Sequence, residues 1–362
     1  MQNAASGLPP TSPPPPPVGE KDSSSIGLPP THVRPPTIVT GPSVSFDETS
    51  TKPSGDAPTT EKRNQSKYDF VKVRVWVEDH FYVLSRYLVC RALVSTKINS
   101  RDAVTISLEL KKTLVDLGLA DIKQEQFENF LYKTMLVYGY GESHVERYRM
   151  MSTFHRTRTP LLIILAGTSC MGKSTLATKL ADRMNLSSVL QTDLIFELMC
   201  NFSGRSEMSF SDTVFESETA LLEQYASDCD IVRKGVTSDI DKCLKEGKSL
   251  IIEGLHVDPR LYEKEVSNLA SGGIVVPFLL TLDPEDHKSF IEASPDPRYK
   301  LEKAANCFKN LQVVQRALVD HKGSFTQVAV NIHSFKSTLD ELHDIVLQRI
   351  EEAYRHRGTA PS

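Results

Sequence analysis

The sequence predicts an α/β fold built on a parallel, doubly wound sheet. Three observations carry that expectation. Apolar runs of strand length recur at 161–166, 188–193, 250–254, 273–282 and 325–332, separated by stretches of helical character. The first run passes directly into a glycine-rich loop and then into helix-forming residues. Two further runs close on a carboxylate, Asp193 and Glu253. Strands that alternate with helices join by right-handed crossovers, which gives parallel neighbours.

The glycine loop reads Gly167-Thr168-Ser169-Cys170-Met171-Gly172-Lys173-Ser174, with Thr175 next. This is a complete G-x-x-x-x-G-K-S pattern with a strand before it and a helix after it, the context a P-loop requires. Gly167 and Gly172 admit tight, partly left-handed backbone, so successive N–H groups turn into one concavity. The start of the following helix adds unpaired N–H groups and a partial positive charge, which suits a polyphosphate. Lys173 is placed for the β- and γ-phosphates and Ser174 for Mg²⁺. The cofactors expected are therefore ATP and Mg²⁺, held by residues 167–175.

Composition narrows the remaining classes. The chain has 362 residues, enough for two or three domains, with 40% hydrophobic and 24% charged residues and a net charge of −4. A near-neutral balance gives no electrostatic case for nucleic acid or an anionic membrane. No apolar run approaches the roughly 20 residues of a membrane helix. The first residues lack a basic segment followed by an apolar core, so an intracellular, most simply cytoplasmic, protein is expected. The six cysteines show no paired metal spacing and are expected as reduced thiols. Cys170 inside the loop reads as a tolerated small side chain.

Residues 1–67 are rich in Pro, Ser, Thr and Gly, with an unbroken proline run from Pro13 to Pro17. Such a segment has too little apolar surface to offset its ordering entropy, so a disordered tail is expected, with SH3 or WW domains as conceivable partners. Residues 68–155 read as a small, mainly helical domain. It begins with a strand over 71–77, followed by helices over 82–94, 101–117, 124–138 and 142–151. Ile106, Leu110, Leu114 and Leu117 are spaced for one buried face, with Asn99-Ser100 as a helix start and Gly118 as a stop. Its tyrosines read as core, and His144, Arg147 and Arg149 mainly as solvated positions.

Residues 156–362 carry the chemistry. A long helix is expected over 211–245, interrupted near Gly235, and a closing amphipathic helix over 339–354. In open α/β sheets ligands bind beyond the carboxyl ends of the strands, so Asp193 and Glu253 are expected to face the phosphates. One carboxylate suits an acceptor hydroxyl and the other, Glu253, a water-linked Mg²⁺. Arg298, in Pro295-Asp296-Pro297-Arg298-Tyr299-Lys300, lies between two strands where a lid could carry it over the transferring phosphoryl. Arg205, Arg233 and Lys234 are weaker candidates, and His256 stands just past Glu253. A guanine-specific Asn-Lys-x-Asp pattern between the fourth and fifth strands is missing, which argues against a GTPase. Ile252-Glu253-Gly254 does not end in the paired acids expected of helicases and AAA-type enzymes.

These residues carry a family resemblance. The stretch Lys67–Gly172, then Leu190-Gln191-Thr192-Asp193 and Ile251-Ile252-Glu253-Gly254-Leu255-His256-Val257-Asp258-Pro259, resembles 2-phosphoglycerate kinase. Within that family it is most similar to the eukaryotic P-loop proteins named for low phytic acid in plant seeds. The resemblance covers most of residues 67–355. It implies an ATP-dependent small-molecule kinase with a small phosphorylated or acidic acceptor, 2-phosphoglycerate being the family's own, and a link to phytic acid metabolism. It also implies that 68–155 is an ATP-cone-like module. Two departures stand out. Phe196 lies where archaeal members often carry an arginine after the Thr-Asp pair, and Leu311-Gln312 where they tend to have Ile-Arg. Fewer cations around the acceptor are expected, and the competing reading is a nucleotide-binding regulatory protein with weak or no transfer.

Overall fold

The computed structural model describes residues 67–204, 213–267, 273–294 and 301–358. All of these belong to one compact unit. The Pro-rich segment before Lys67, Arg205 and Arg298 lie outside the described residues.

The first part contains α1 (Lys67–Phe70), β1 (Arg74–Val77), β2 (His80–Val83), α2 (Arg86–Ser95), α3 (Ser100–Asp116), β3 (Asp121–Lys123), α4 (Gln124–Val137) and α5 (Glu142–Arg156). Its sheet has the order β2-β1-β3, with β1 antiparallel to β2 and parallel to β3. Two expectations are corrected here. Tyr82 belongs to β2 rather than to a helix, and α2 starts only after Ser85, whose hydroxyl accepts from the Leu88 N–H at 3.4 Å. Leu117 is 59% exposed rather than part of the buried face, because it caps α3 beyond the last full turn. Ile106, Leu110 and Leu114 are buried, Asn99 caps the start of α3, and Gly118 stops the chain at φ 71°.

The larger part comprises β4 (Leu161–Ala166), α6 (Lys173–Met184), β5 (Val189–Gln191), α7 (Thr192–Ser203), α8 (Glu218–Glu246), β6 (Ser249–Glu253), a 3₁₀ turn at Pro259–Tyr262, α9 (Glu263–Ser267), β7 (Ile274–Thr281), α10 (Pro284–Glu292), α11 (Leu301–Asp320), β8 (Thr326–Ala329) and α12 (Phe335–Gly358). The strands lie in the order β5-β6-β4-β7-β8 and every pair is parallel, as the sequence leads one to expect. Every residue of β4 is buried. Leu162, Ile164 and Ala166 face the core made with α8 and α11, while Leu161, Ile163 and Leu165 face α6 and α12. Burial of each of the five Leu and Ile side chains stabilises by about 1.5–3 kcal/mol, so the central strand is held from both sides.

The long helix is not interrupted at Gly235. A Cβ there would lie 2.8 Å from Cγ2 of Ile195 and 3.5 Å from Cγ of Met199. The glycine serves close approach of α7 to α8, which offsets its low helix propensity. α5 joins the two parts, giving Val145 and Tyr148 to one core and Met151 and Phe154 to the other. Across the same junction, Lys97 pairs with Asp344 at 2.5 Å and Arg147 with Glu351 at 3.2 Å. No described helix is long and apolar enough to cross a membrane.

His343 on α12 is buried and donates from Nε2 to the Ser95 carbonyl at 3.0 Å. Burial brings its pKa down to about 4. A folded-state value below the unfolded one, about 6.5, means that the unfolded chain binds the extra proton over that window. The contribution is therefore present above pH 6.5 and is lost as pH falls towards 4. Between pH 7 and 4.5 the loss should be about 2.5 kcal/mol in urea unfolding of the wild type. His343→Gln keeps a donor but does not titrate, so its loss over the same window should be smaller by that amount. Equal losses in the two proteins would contradict this assignment.

Candidate active site

β4 delivers its last residue, Ala166, straight into the loop at Gly167. The strand sits at the point where the sheet's connectivity reverses, with β5 and β6 on one side and β7 and β8 on the other. That is where open α/β sheets bind ligands. Gly167 has φ 145°, and a Cβ there would meet the Leu280 carbonyl oxygen at 2.7 Å. Gly172 has φ 79°, and its Cβ would meet Cε1 of Phe335 at 2.5 Å. Both glycines are thus required by conformation and by space. Cys170 also takes left-handed backbone, at φ 57°, a costly state for a residue with a side chain.

α6 begins at Lys173, so its first N–H groups open into the loop. Lys173 is buried, and its Nζ donates to the Thr168 carbonyl at 2.6 Å. Burial lowers its pKa, an effect opposed by Asp193 and Glu253. The ammonium thus has a hydrogen-bond partner within its own loop and two carboxylates nearby that favour its charge. Thr168 Oγ1 is buried in the same loop without a hydrogen-bond partner.

Glu253 ends β6 and pairs in register with Leu165, one residue before the end of β4. It is buried, and burial raises its pKa, against the pull of Lys173 and the neighbouring Ser174 hydroxyl. Asp193 is not on a strand as the sequence suggested. β5 stops at Gln191, and Asp193 lies in the first turn of α7. Its Oδ1 accepts from the Leu255 N–H at 3.4 Å and stands 3.6 Å from Nδ1 of His256. Burial works against its charge, but His256 and Lys173 outweigh burial and hold the carboxyl at about 2. Asp193, Glu253, Ser294 and loop residues 169–175 together line a cleft of about 260 Å³.

The sequence-predicted residues divide accordingly. Ser169 to Thr175, including Lys173 and Ser174, line one cleft with Asp193 and Glu253, while Gly167 and Thr168 form the start of the same loop. Arg298 is outside the described residues, although Ser294, a few residues before it, lines the cleft. Arg233 is used elsewhere: it donates to the Leu261 carbonyl, pairs with Glu265 and lies over the Tyr262 ring. Lys234 is exposed on α8. Arg147 and Arg149 are paired with Glu351 and Glu142. His256 stacks on Phe196 with centroids 4.4 Å apart, so the aromatic at that position packs against the histidine beside Asp193.

His287 was not anticipated. It is fully buried in α10 and reaches the loop through the Ser169 carbonyl, 2.8 Å from Nε2. No local pattern marks it, because its partners come from distant parts of the chain.

Among the described residues no three His, Cys, Asp or Glu side chains group as a metal cage. The donors instead suit a cation that shares its ligands with phosphate and water. Hard oxygen ligands, Ser174 and Glu253, beside the orphaned Thr168 hydroxyl and the N-terminus of α6 fit Mg²⁺ and a polyphosphate.

A family model described as AAA domain matches residues 163–307. The chain is similar to proteins named 2-phosphoglycerate kinase. The one from Methanopyrus kandleri is 23% identical over 319 residues, covering 84% of this chain and 95% of that protein. The one from Pyrococcus furiosus is 29% identical over 189 residues, covering 48% of this chain and 61% of that protein. Among solved structures, a gluconokinase from Sinorhizobium meliloti 1021 aligns with a TM-score of 0.36 at 14% identity, over 55% of this chain and 98% of its own. A shikimate kinase from Acinetobacter baumannii in complex with shikimate aligns with a TM-score of 0.34 at 15% identity, over 54% and 97%.

Gly254 holds the two carboxylates in place. Its φ is 148°, and a Cβ there would fall 1.8 Å from Oγ1 of Thr192, the residue before Asp193. Gly254→Ala should therefore displace the start of α7 and lower the melting temperature by several degrees. Gly139→Ala is the control, with φ 83° but nothing within 4 Å of its Cβ. It should show only the smaller cost of left-handed backbone. Equal shifts in thermal unfolding would refute the steric role of Gly254.

Proposed function

We propose that the protein is an ATP- and Mg²⁺-dependent small-molecule kinase. On this reading it transfers the γ-phosphoryl group to a hydroxyl of a small acceptor, in the manner of the 2-phosphoglycerate kinases it resembles. The observation that carries the reading is the convergence of Lys173, Ser174, Glu253 and Asp193 on one cleft at the mouth of the loop. Phosphoryl transfer asks for positioning and charge stabilisation more than for covalent chemistry by the protein, and these residues are of that kind.

The loop amides and the N-terminus of α6 bind the phosphates. Lys173 exchanges its Thr168 carbonyl for phosphate oxygens. Ser174 and Glu253 would hold Mg²⁺, which would supply charge to offset that of the phosphates. Asp193, ionised well below neutral pH, orients the acceptor hydroxyl and takes its proton. Arg298, singled out by the sequence alone, is the cation proposed to offset charge on the transferring group. The acceptor is a small phosphorylated or acidic compound, 2-phosphoglycerate being the first to test and the inositol phosphates of phytic acid metabolism the second.

The decisive experiment is ATP turnover against a panel of phosphorylated and plain sugar acids and inositol phosphates. Acceptor-dependent ADP formation is the expected result. Tight ATP binding with no turnover on any acceptor would favour the nucleotide-binding regulator instead.

Two substitutions check the roles. Lys173→Ala should weaken ATP binding and abolish transfer in a protein that still folds. Unchanged nucleotide affinity in that variant would remove the loop assignment. Asp193→Asn and Glu253→Gln keep size but remove charge, and each should reduce turnover by about 10²-fold or more. Asp193→Asn should leave nucleotide affinity nearly unchanged in titration calorimetry, and turnover within a few-fold of wild type would exclude Asp193 as the acceptor's base.

A further inference from the structure

Buried His287 and half-buried Gln312 form a link between the helical layer and the phosphate loop. His287 Nε2 lies 2.8 Å from the Ser169 carbonyl, and Gln312 Nε2 lies 2.9 Å from His287 Nδ1. A carbonyl only accepts, so Nε2 must carry the proton that it donates to Ser169. Nδ1 of the neutral ring then accepts, and the Gln312 amide donates to it. Burial lowers the pKa of this histidine and so favours the neutral ring. Gln312 thus selects one tautomer, and that tautomer is the one that grips the loop.

The consequence follows from peptide geometry. The bond between Ser169 and Cys170 is trans, so its carbonyl and N–H point in opposite directions. A Ser169 carbonyl drawn towards α10 turns the Cys170 N–H the other way. Cys170 sits at φ 57°, where a residue with a Cβ is strained and needs external support. The hydrogen bond from His287 supplies that support at the adjoining peptide plane. Gly167 and Gly172 reach their positive φ without it.

We propose that His287 and Gln312 are positioning residues that hold the Ser169–Cys170 peptide plane with its N–H directed into the phosphate cradle. The proposal rests on the reading of the loop as a polyphosphate site. It gives α10 and α11 a function beyond packing, since the pair sets the loop's geometry before any nucleotide binds. The ligand chemistry concerned is the polyphosphate alone, not the base or sugar.

The test is titration calorimetry of the full chain with Mg²⁺-ADP and with inorganic tripolyphosphate, combined with thermal unfolding. Wild-type protein that binds neither probe would remove the polyphosphate reading itself. If wild type binds, Gln312→Leu should weaken both probes by about tenfold, since it frees the ring to rotate or change tautomer while keeping the packing. His287→Leu should weaken them by a similar or larger factor. His287→Gln places an amide N–H near the position of Nε2 and should recover most of the affinity, which a merely space-filling role would not produce. If His287→Leu fails to fold, Gln312→Leu and His287→Gln still decide the matter. Wild-type affinity in Gln312→Leu, or a His287→Gln no better than His287→Leu where both fold, would overturn the proposal.

Discussion

Burial of β4 on both faces is the constraint from which the rest follows. Six consecutive apolar residues are stable only between two helical layers, and both layers are present. Neighbours β6 and β7 pair with it in parallel, so the carboxyl ends of three strands meet at one edge. The chain turns sharply where β4 ends, and the loop occupies that turn. Position of the site is thus a consequence of packing, whereas its chemistry belongs to a few polar side chains.

Those side chains form a charge cluster with opposing tendencies. Burial disfavours the charge of Lys173 and of Glu253; Asp193 and then Glu253 offset the loss at Lys173, and Lys173 and then Ser174 offset it at Glu253. Asp193 differs, since the Leu255 N–H and His256 favour its ionised form. Lys173 rests on a carbonyl of its own loop, an arrangement that the proposed polyphosphate would replace without leaving a buried donor unpaired. Two carboxylates with divergent environments suit two different tasks, one beside Ser174 and one at the open side of the cleft.

Much of this was legible because its signals are local. The loop pattern, the strand periodicity and the carboxylates of Asp193 and Glu253 each lie within a few residues of the feature they mark. The parallel sheet followed from alternation of strands and helices. What escaped depended on distant contacts. The continuity of α8 at Gly235 is explained by Ile195 and Met199 of another helix, and the place of His287 by Ser169 and Gln312. β2 and β3 are four and three residues long, and β2 is exposed throughout, so no alternation of buried and exposed positions marks it. Phe196 read as the loss of an arginine, but its contact with His256 is visible only in three dimensions.

The most direct measurement is a crystal structure of the full chain with Mg²⁺ and a non-hydrolysable ATP analogue. The expected result has Lys173 Nζ withdrawn from the Thr168 carbonyl and bound to phosphate oxygens, with Mg²⁺ at about 2.1 Å from Ser174 Oγ and Glu253 beside it. Asp193 should face the γ-phosphate from the acceptor side. A nucleotide bound away from the loop, or bound there with Lys173 still on Thr168 and no metal at Ser174, would contradict the assignment of this cleft.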